Sequence, residues 1–267
     1  MGVRETFMTA LQIALTALSL FVGMLCLTEL GRWIGRMRHR RRTDESGGSF
    51  AVLEGGVFGL MGLLIALTFS ASESRLEARR QMIIDETNAI GTAWLRIALL
   101  PEARQSEMRQ YFVRYVDTRL AFFRGMANVD SATHALARTT ILQGEIWSRA
   151  VTACGETSTV AATNLMLPAL NSMIDLTTAG TMLAKTHLPI VIRALLVISP
   201  LLCAFLAGIE SAPLVRRVWT PSILFALMLS LTVYVILDLD YPRVGLIRED
   251  KFDEALIELR ASMESTK

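Results

Sequence analysis

The chain has little of what soluble enzymes and secreted domains rely on. Its 267 residues include three cysteines and three histidines, and charged residues make up 19%, below the roughly 25% of an average soluble domain. Cys26 and Cys203 fall in apolar runs and only Cys154 lies in the polar middle, so no disulfide can form within that middle. His39, His134 and His187 are scattered, and no HExxH, clustered Cys/His spacing, P-loop, dinucleotide fingerprint or nucleophile elbow is present. Gly56, Gly59 and Gly62 recur every third residue inside an apolar run, which suits helix packing and not a phosphate loop. No catalytic residue, metal site or cofactor is therefore expected, and the chain is expected not to be an enzyme. A net charge of only +2 gives no general attraction to nucleic acid. Solenoid repeats, low-complexity tracts and long Pro/Gly/Ser linkers are also missing.

What the chain has is apolar length. Hydrophobic residues make up 52% and the mean hydropathy is +0.42. Four runs, 6–30, 50–70, 188–208 and 219–239, reach the roughly 20 residues that a helix needs to cross a hydrocarbon core of about 30 Å. They lack strand alternation, and backbone polar groups in lipid are satisfied only in helices or closed barrels, so each run is expected to be a spanning helix. The first run is read as retained and not as a cleaved signal, because its core is long and arginines follow it. The expected fold is an all-α integral membrane protein with four transmembrane helices in two hairpins and an inserted antiparallel helical bundle. Its expected divisions are 1–49, the first span and an Arg-rich loop; 50–70, the second span; 71–187, the bundle; 188–239, the third and fourth spans; and 240–267, a C-terminal segment with a short amphipathic helix.

No glycine or proline interrupts the chain between Gly62 and Gly91, so the second span is expected to continue unbroken into the bundle. Leu76, Ile83, Ile90 and Ile97 recur every seventh residue, with Trp94 beside them, and predict a packing seam. Arg75, Glu77, Arg79, Asp85 and Glu86 are mostly off that seam and suit a solvated or partner-facing surface. Pro101 begins a helix carrying Met108, Phe112, Tyr115, Val116, Phe123 and Met126 inward. After the turn at Asn128, Asp130 or Ser131 can cap a helix carrying Leu136, Leu142, Ile146 and Val151. The last bundle helix, about 159–185, carries Leu167, Leu170, Ile174 and Met182 and contains Pro168.

Arg32, Arg36, Arg38, Arg40, Arg41 and Arg42 concentrate positive charge after the first span, and Arg216 and Arg217 follow the third. Positive-inside counting puts these loops in the cytoplasm and the 71–187 domain outside, in a bacterial inner membrane.

On the second span, Gly55, Gly59, Gly62, Ala66 and Ser70 form a stripe of small residues at spacings of three and four. Such a stripe lets helices pack closely. It can equally line an axial pathway in a homo-oligomer, with Leu60, Leu63, Leu64 or Phe69 as an apolar constriction that gates by dewetting. Glu54, near one end of that span, is either a first-turn acid suited to the helix dipole or a functional carboxylate at membrane depth. Arg193 near the start of the third span is read as a structural, snorkelling residue. Asp238 and Asp240 end the fourth span beside Tyr241 and Arg243, where an ion pair can fix the exit of the chain. His187 reads as a capping or interfacial residue. The expected partners are the lipid bilayer, further copies of the chain and small ions, with no nucleic acid.

Five strings carry a family resemblance: 52–69 (VLEGGVFGLMGLLIALTF), 79–95 (RRQMIIDETNAIGTAWL), 171–178 (NSMIDLTT), 238–248 (DLDYPRVGLIR) and 259–263 (LRASM). Together they resemble the bestrophin-like family of bacterial membrane proteins, whose shared domain has no assigned function. The resemblance to true bestrophins, which are pentameric anion channels, is more remote. It implies a homo-oligomer with the second membrane helix around a central pore. Residues 60–69 have no counterpart of the bestrophin aromatic and isoleucine constriction, and 249–254 (EDKFDE) do not reproduce the calcium clasp. Bestrophins also keep their bulk in the cytosol, opposite to the arginine count.

Overall fold

The computed structural model describes residues 10–39, 47–125, 129–156, 160–212, 219–241 and 253–265. Among these residues the regular structure is helical, with no strand. Eight α-helices follow in order: α1 (Ala10–His39), α2 (Gly47–Arg96), α3 (Glu102–Gly125), α4 (Val129–Gly155), α5 (Val160–Ala184), α6 (Ile190–Glu210), α7 (Trp219–Asp240) and α8 (Asp253–Ser265), with a single 3-10 turn, Ile97–Leu99, after α2. α1, α2, α6 and α7 are long and apolar enough to cross a membrane. The chain forms two compact units, one from Met8–Leu76 with His187–Ile247 and the other from Glu77–Thr186 with the C-terminal segment. α2 is continuous and contributes to both.

In the first unit α1 packs along α6 and α7. Its core is Ile13, Leu20 and Met24 of α1, Ala204 of α6, and Ala226, Val233, Leu237 and Tyr241 of α7 and its end. Glycines make the α1–α6 approach close. A Cβ on Gly31 would fall on the Phe205 carbonyl, and one on Gly208 on the Thr28 carbonyl, which is how small residues bring helix backbones together in lipid. The outer faces are apolar: Leu11, Leu15, Leu18 and Val22 of α1 are each at least half exposed. A contiguous apolar exterior of this kind suits lipid and not water.

α1 runs nine residues past the expected end of its span, so Arg32, Arg36 and Arg38 lie on helix and not in a loop. Trp33, Ile34 and Met37 extend its apolar face, and arginine is a good helix former. Arg32 is buried and Arg36 exposed. Arg40, Arg41, Arg42, Arg216, Arg217 and Arg243 lie outside the described residues.

In the second unit α3 packs along α4, α4 along α5, and α8 on α3. One core holds Ile90, Ile97, Phe112, Tyr115, Ile146, Met166 and Leu170, all 0–1% exposed. The seam Leu76, Ile83, Ile90, Ile97 and Trp94 is buried as expected, as are Met108, Phe112, Tyr115, Val116 and Phe123. Met126 and Asn128 lie outside the described residues. Two inward assignments are corrected: Val151 is 46% and Met182 67% exposed. The inward line of α4 is Leu142, Ile146, Ala150 and Ala153, and that of α5 is Met173, Thr177, Gly180 and Ala184, so the wider apolar residues point away by the helical period. α8 buries Leu256 and Met263, worth about 1.5–3 kcal/mol each. Its Arg260 donates to Asp117 at 2.6 Å.

Candidate functional site

α2 has two contrasting sides within the first unit. Phe58, Met61, Ile65 and Thr68, spaced three and four apart, turn inward. The Phe58 ring lies 5.7 Å from that of Phe225, and Ile65 packs on Leu188, Leu196 and Ile236. On the other side Gly55, Gly59, Gly62, Ala66 and Ser70 are all exposed. A Cβ built on Gly55, Gly59 or Gly62 meets no atom within 4 Å. These glycines, unlike Gly31 and Gly208, therefore serve no close approach of another described helix of the same chain. Leu63, four residues from Gly59 and three from Ala66, shares that open side and is 55% exposed. Leu60 and Phe69 are also exposed, and Leu64 is half-buried.

Glu54 is half-buried and comes within hydrogen-bond reach of Glu210, the last residue of α6. Sequence reading did not pair them. The carboxylate beside Glu54 comes from a helix more than a hundred residues later.

The residues at the end of α7 form a tight cluster. Asp240 is 1% exposed, and at a helix C-terminus a carboxylate faces the unfavourable end of the dipole. Its neighbours compensate. The Leu188 N–H donates to both carboxylate oxygens at 3.1 and 3.0 Å, Arg75 Nε lies 3.6 Å away, and His187 Nδ1 lies 3.8 Å away. His187 also stacks on Tyr241 with centroids 4.5 Å apart, and the Tyr241 hydroxyl accepts from Arg193 Nη1 at 2.9 Å. Arg193 is thus held against Tyr241. Arg75 of α2 and the His187 ring, from the segment before α6, both face Asp240. Asp238 is equally buried.

The second unit contains a polar network that sequence reading placed elsewhere. Glu86, assigned to a solvated surface, is 1% exposed, and Arg119 is fully buried. Arg119 Nε and Nη2 donate to the two Glu86 oxygens at 2.5 and 2.9 Å. The guanidinium lies 4.7 Å from the Phe122 ring centroid and 4.9 Å from that of Phe123. The Tyr115 and Thr177 hydroxyls are 2.6 Å apart, and Thr177 donates to Glu86 at 3.3 Å. Burial, then the Glu86 charge, pushes the Tyr115 phenol up to about 12. A signal existed. In the heptad of Leu76, Ile83 and Ile90, Arg79 and Glu86 occupy the second core position, three residues on, where charge is exceptional. Arg79 is also buried and donates to the Thr186 carbonyl at 2.6 Å.

Among the described residues no three His, Cys, Asp or Glu side chains gather as metal ligands. The chemistry on view is therefore charge pairing at buried positions and an open face of small residues on a membrane-length helix.

A family model for the Bestrophin-like domain matches residues 17–248. Comparison with curated proteins found no match. The crystal structure of a bacterial Bestrophin homolog from Klebsiella pneumoniae obtained by Zn-SAD phasing is similar at a TM-score of 0.61 and 14% identity, over 91% of this chain and 97% of that chain. A single-substitution variant of a Bestrophin homolog from the same organism aligns at a TM-score of 0.62 and 15% identity, over 93% and 97%. Such identities show a shared fold. The family match spans most of the sequence, and the chain belongs to the Bestrophin-like domain family.

Proposed function

We propose that the protein is a homo-oligomeric channel for small ions, anions foremost, in the bacterial inner membrane. The observation that carries this reading is the open side of α2: small residues at helical spacing, exposed, with no atom of the described chain within 4 Å of a Cβ at Gly55, Gly59 or Gly62. Small faces on membrane helices are partnered by other helices or line cavities, and further copies of α2 around a common axis supply both. Membership of the Bestrophin-like family supports the same arrangement. In this reading the spans form two hairpins, the helices between them form an antiparallel bundle, and positive-inside counting puts that bundle outside. Leu60, Leu63, Leu64 and Phe69 are the candidates for an apolar gate that closes by dewetting.

A second reading is favoured by the unbroken run of α2 from Gly47 to Arg96: a membrane-anchored sensory or scaffolding module whose bundle binds a partner protein or small ligand. Reconstitution in liposomes separates the two. Chloride flux that scales with protein-to-lipid ratio and exceeds potassium flux is the expected result. Folded, oligomeric protein with no flux above empty liposomes would leave the second reading.

A further inference from the structure

We propose that the cleft between α3 and α4 binds a free α-amino acid, a zwitterion whose ammonium and carboxylate sit on one carbon. The cleft has a volume of about 280 Å³ and is lined by Arg104, Glu107, Met108, Ser148, Arg149 and Thr152. It is at the small end for ligand sites, which suits a small molecule. Two ion pairs cross it. Arg104 Nε and Nη2 donate to Glu156 at 2.9 and 2.6 Å, and Arg149 Nε donates to Glu107 Oε1 at 2.9 Å. The lining itself carries two arginines and one glutamate, and Glu156 beside it completes two ion pairs, so both signs of charge are present for a ligand that carries both.

The remaining hydrogen-bonding capacity is divided by position. Arg149 spends one N–H from each of its nitrogens, Nε on Glu107, Nη1 on the Glu145 carbonyl and Nη2 on the Tyr111 hydroxyl, which leaves two of its five. Arg104 uses one edge on Glu156, and its Nη1 remains to receive a carboxylate. The Ser148 hydroxyl hydrogen goes to the Glu145 carbonyl at 3.1 Å and that of Thr152 to the Ser148 carbonyl at 3.0 Å. Both hydroxyls therefore face the cleft as acceptors. With Glu107 Oε2, which takes no hydrogen bond from the described residues, they offer three acceptors to three ammonium hydrogens. Arg104 and Glu107 lie three residues apart on α3, one turn of the helix, which places the carboxylate-binding and ammonium-binding ends near each other. Met108 is 1% exposed and closes the floor with an apolar surface.

The site is separate from the α2 face, and its test reads binding, not flux, so each reading succeeds or fails alone. Isothermal titration of the full-length purified protein would compare L-alanine with acetate and with methylamine. L-alanine is expected to bind saturably, with both half-ligands at least tenfold weaker. Glu107→Gln is expected to weaken L-alanine about tenfold or more, the usual scale for a charged hydrogen bond. Thr152→Val, a smaller change at an exposed position, should weaken it several-fold with helix content and oligomer size unchanged. Absence of saturable binding, equal binding of acetate or methylamine, or unchanged affinity in both variants would overturn the assignment.

Discussion

Two glycine-to-alanine substitutions test the contrast on which the α2 reading depends. At Gly208 a Cβ would fall on the Thr28 carbonyl oxygen, with the Thr28 carbonyl carbon at 2.9 Å and Cα at 3.0 Å. Those are backbone atoms, which cannot rotate aside, so α1 and α6 must move apart. Gly208→Ala is expected to destabilise by about 1–3 kcal/mol, the usual range for overpacking. At Gly59 a Cβ meets nothing, and alanine is favoured over glycine within a helix by about 1 kcal/mol. Gly59→Ala should therefore leave the isolated subunit as stable as the parent or slightly more so. The assay is unfolding by denaturing detergent, followed by circular dichroism, with oligomer size measured alongside. A Gly59→Ala subunit that unfolds as early as Gly208→Ala, after the oligomer has dissociated, would mean that the small face of α2 is needed inside the chain and would refute the reasoning.

Three further outcomes follow from the buried charges and the phenol. Glu86→Leu or Arg119→Met alone leaves a buried, unpaired charge and should cost about 3–5 kcal/mol, whereas the double variant should recover most of it; unfolding measurements on all four proteins form the cycle. The Tyr115 phenol is pushed up to about 12 from 10.0, so the folded state keeps its proton after the unfolded chain has lost it. Its stabilisation is complete below pH 10 and is lost as pH rises through 12, about 3 kcal/mol in all; Tyr115→Phe should flatten that slope, and an unchanged slope would assign it to other groups. Asp240→Asn removes the charge that the Leu188 N–H, Arg75 and His187 share and should cost about 1.5–3 kcal/mol in the same unfolding assay.

The spans and the main packing faces were legible because lipid and core impose strict lengths and periods. Ile83, Ile90 and Ile97 mark a seam by their spacing alone, and Phe112 to Phe123 do the same on α3. Glu86 was misread because a charge on a seam is interpretable only through its partner, and Arg119 lies 33 residues away on another helix. The α1–α6 contact was hidden for a related reason. It rests on Gly31 and Gly208 meeting carbonyls of the opposite helix, a match between segments that no local pattern records. The small-residue stripe of α2 could be read from its spacing, but its direction could not, since that depends on Phe58 and Ile65 finding Phe225, Leu196 and Ile236. Arg32 joined an apparent loop cluster because arginine is compatible with both loop and helix.

The most direct test of the proposed channel is accessibility of the open side of α2 during flux. Ala66→Cys, made with Cys26, Cys154 and Cys203 replaced by serine or alanine, is reconstituted and exposed to a charged, water-soluble thiol reagent while chloride flux is recorded. The account predicts rapid modification and loss of flux at Ala66→Cys, with no effect at Ile65→Cys on the inward side. Modification of Ala66→Cys that leaves flux unchanged, or flux in protein whose Ala66→Cys never reacts with the aqueous reagent, would contradict a pathway along this face.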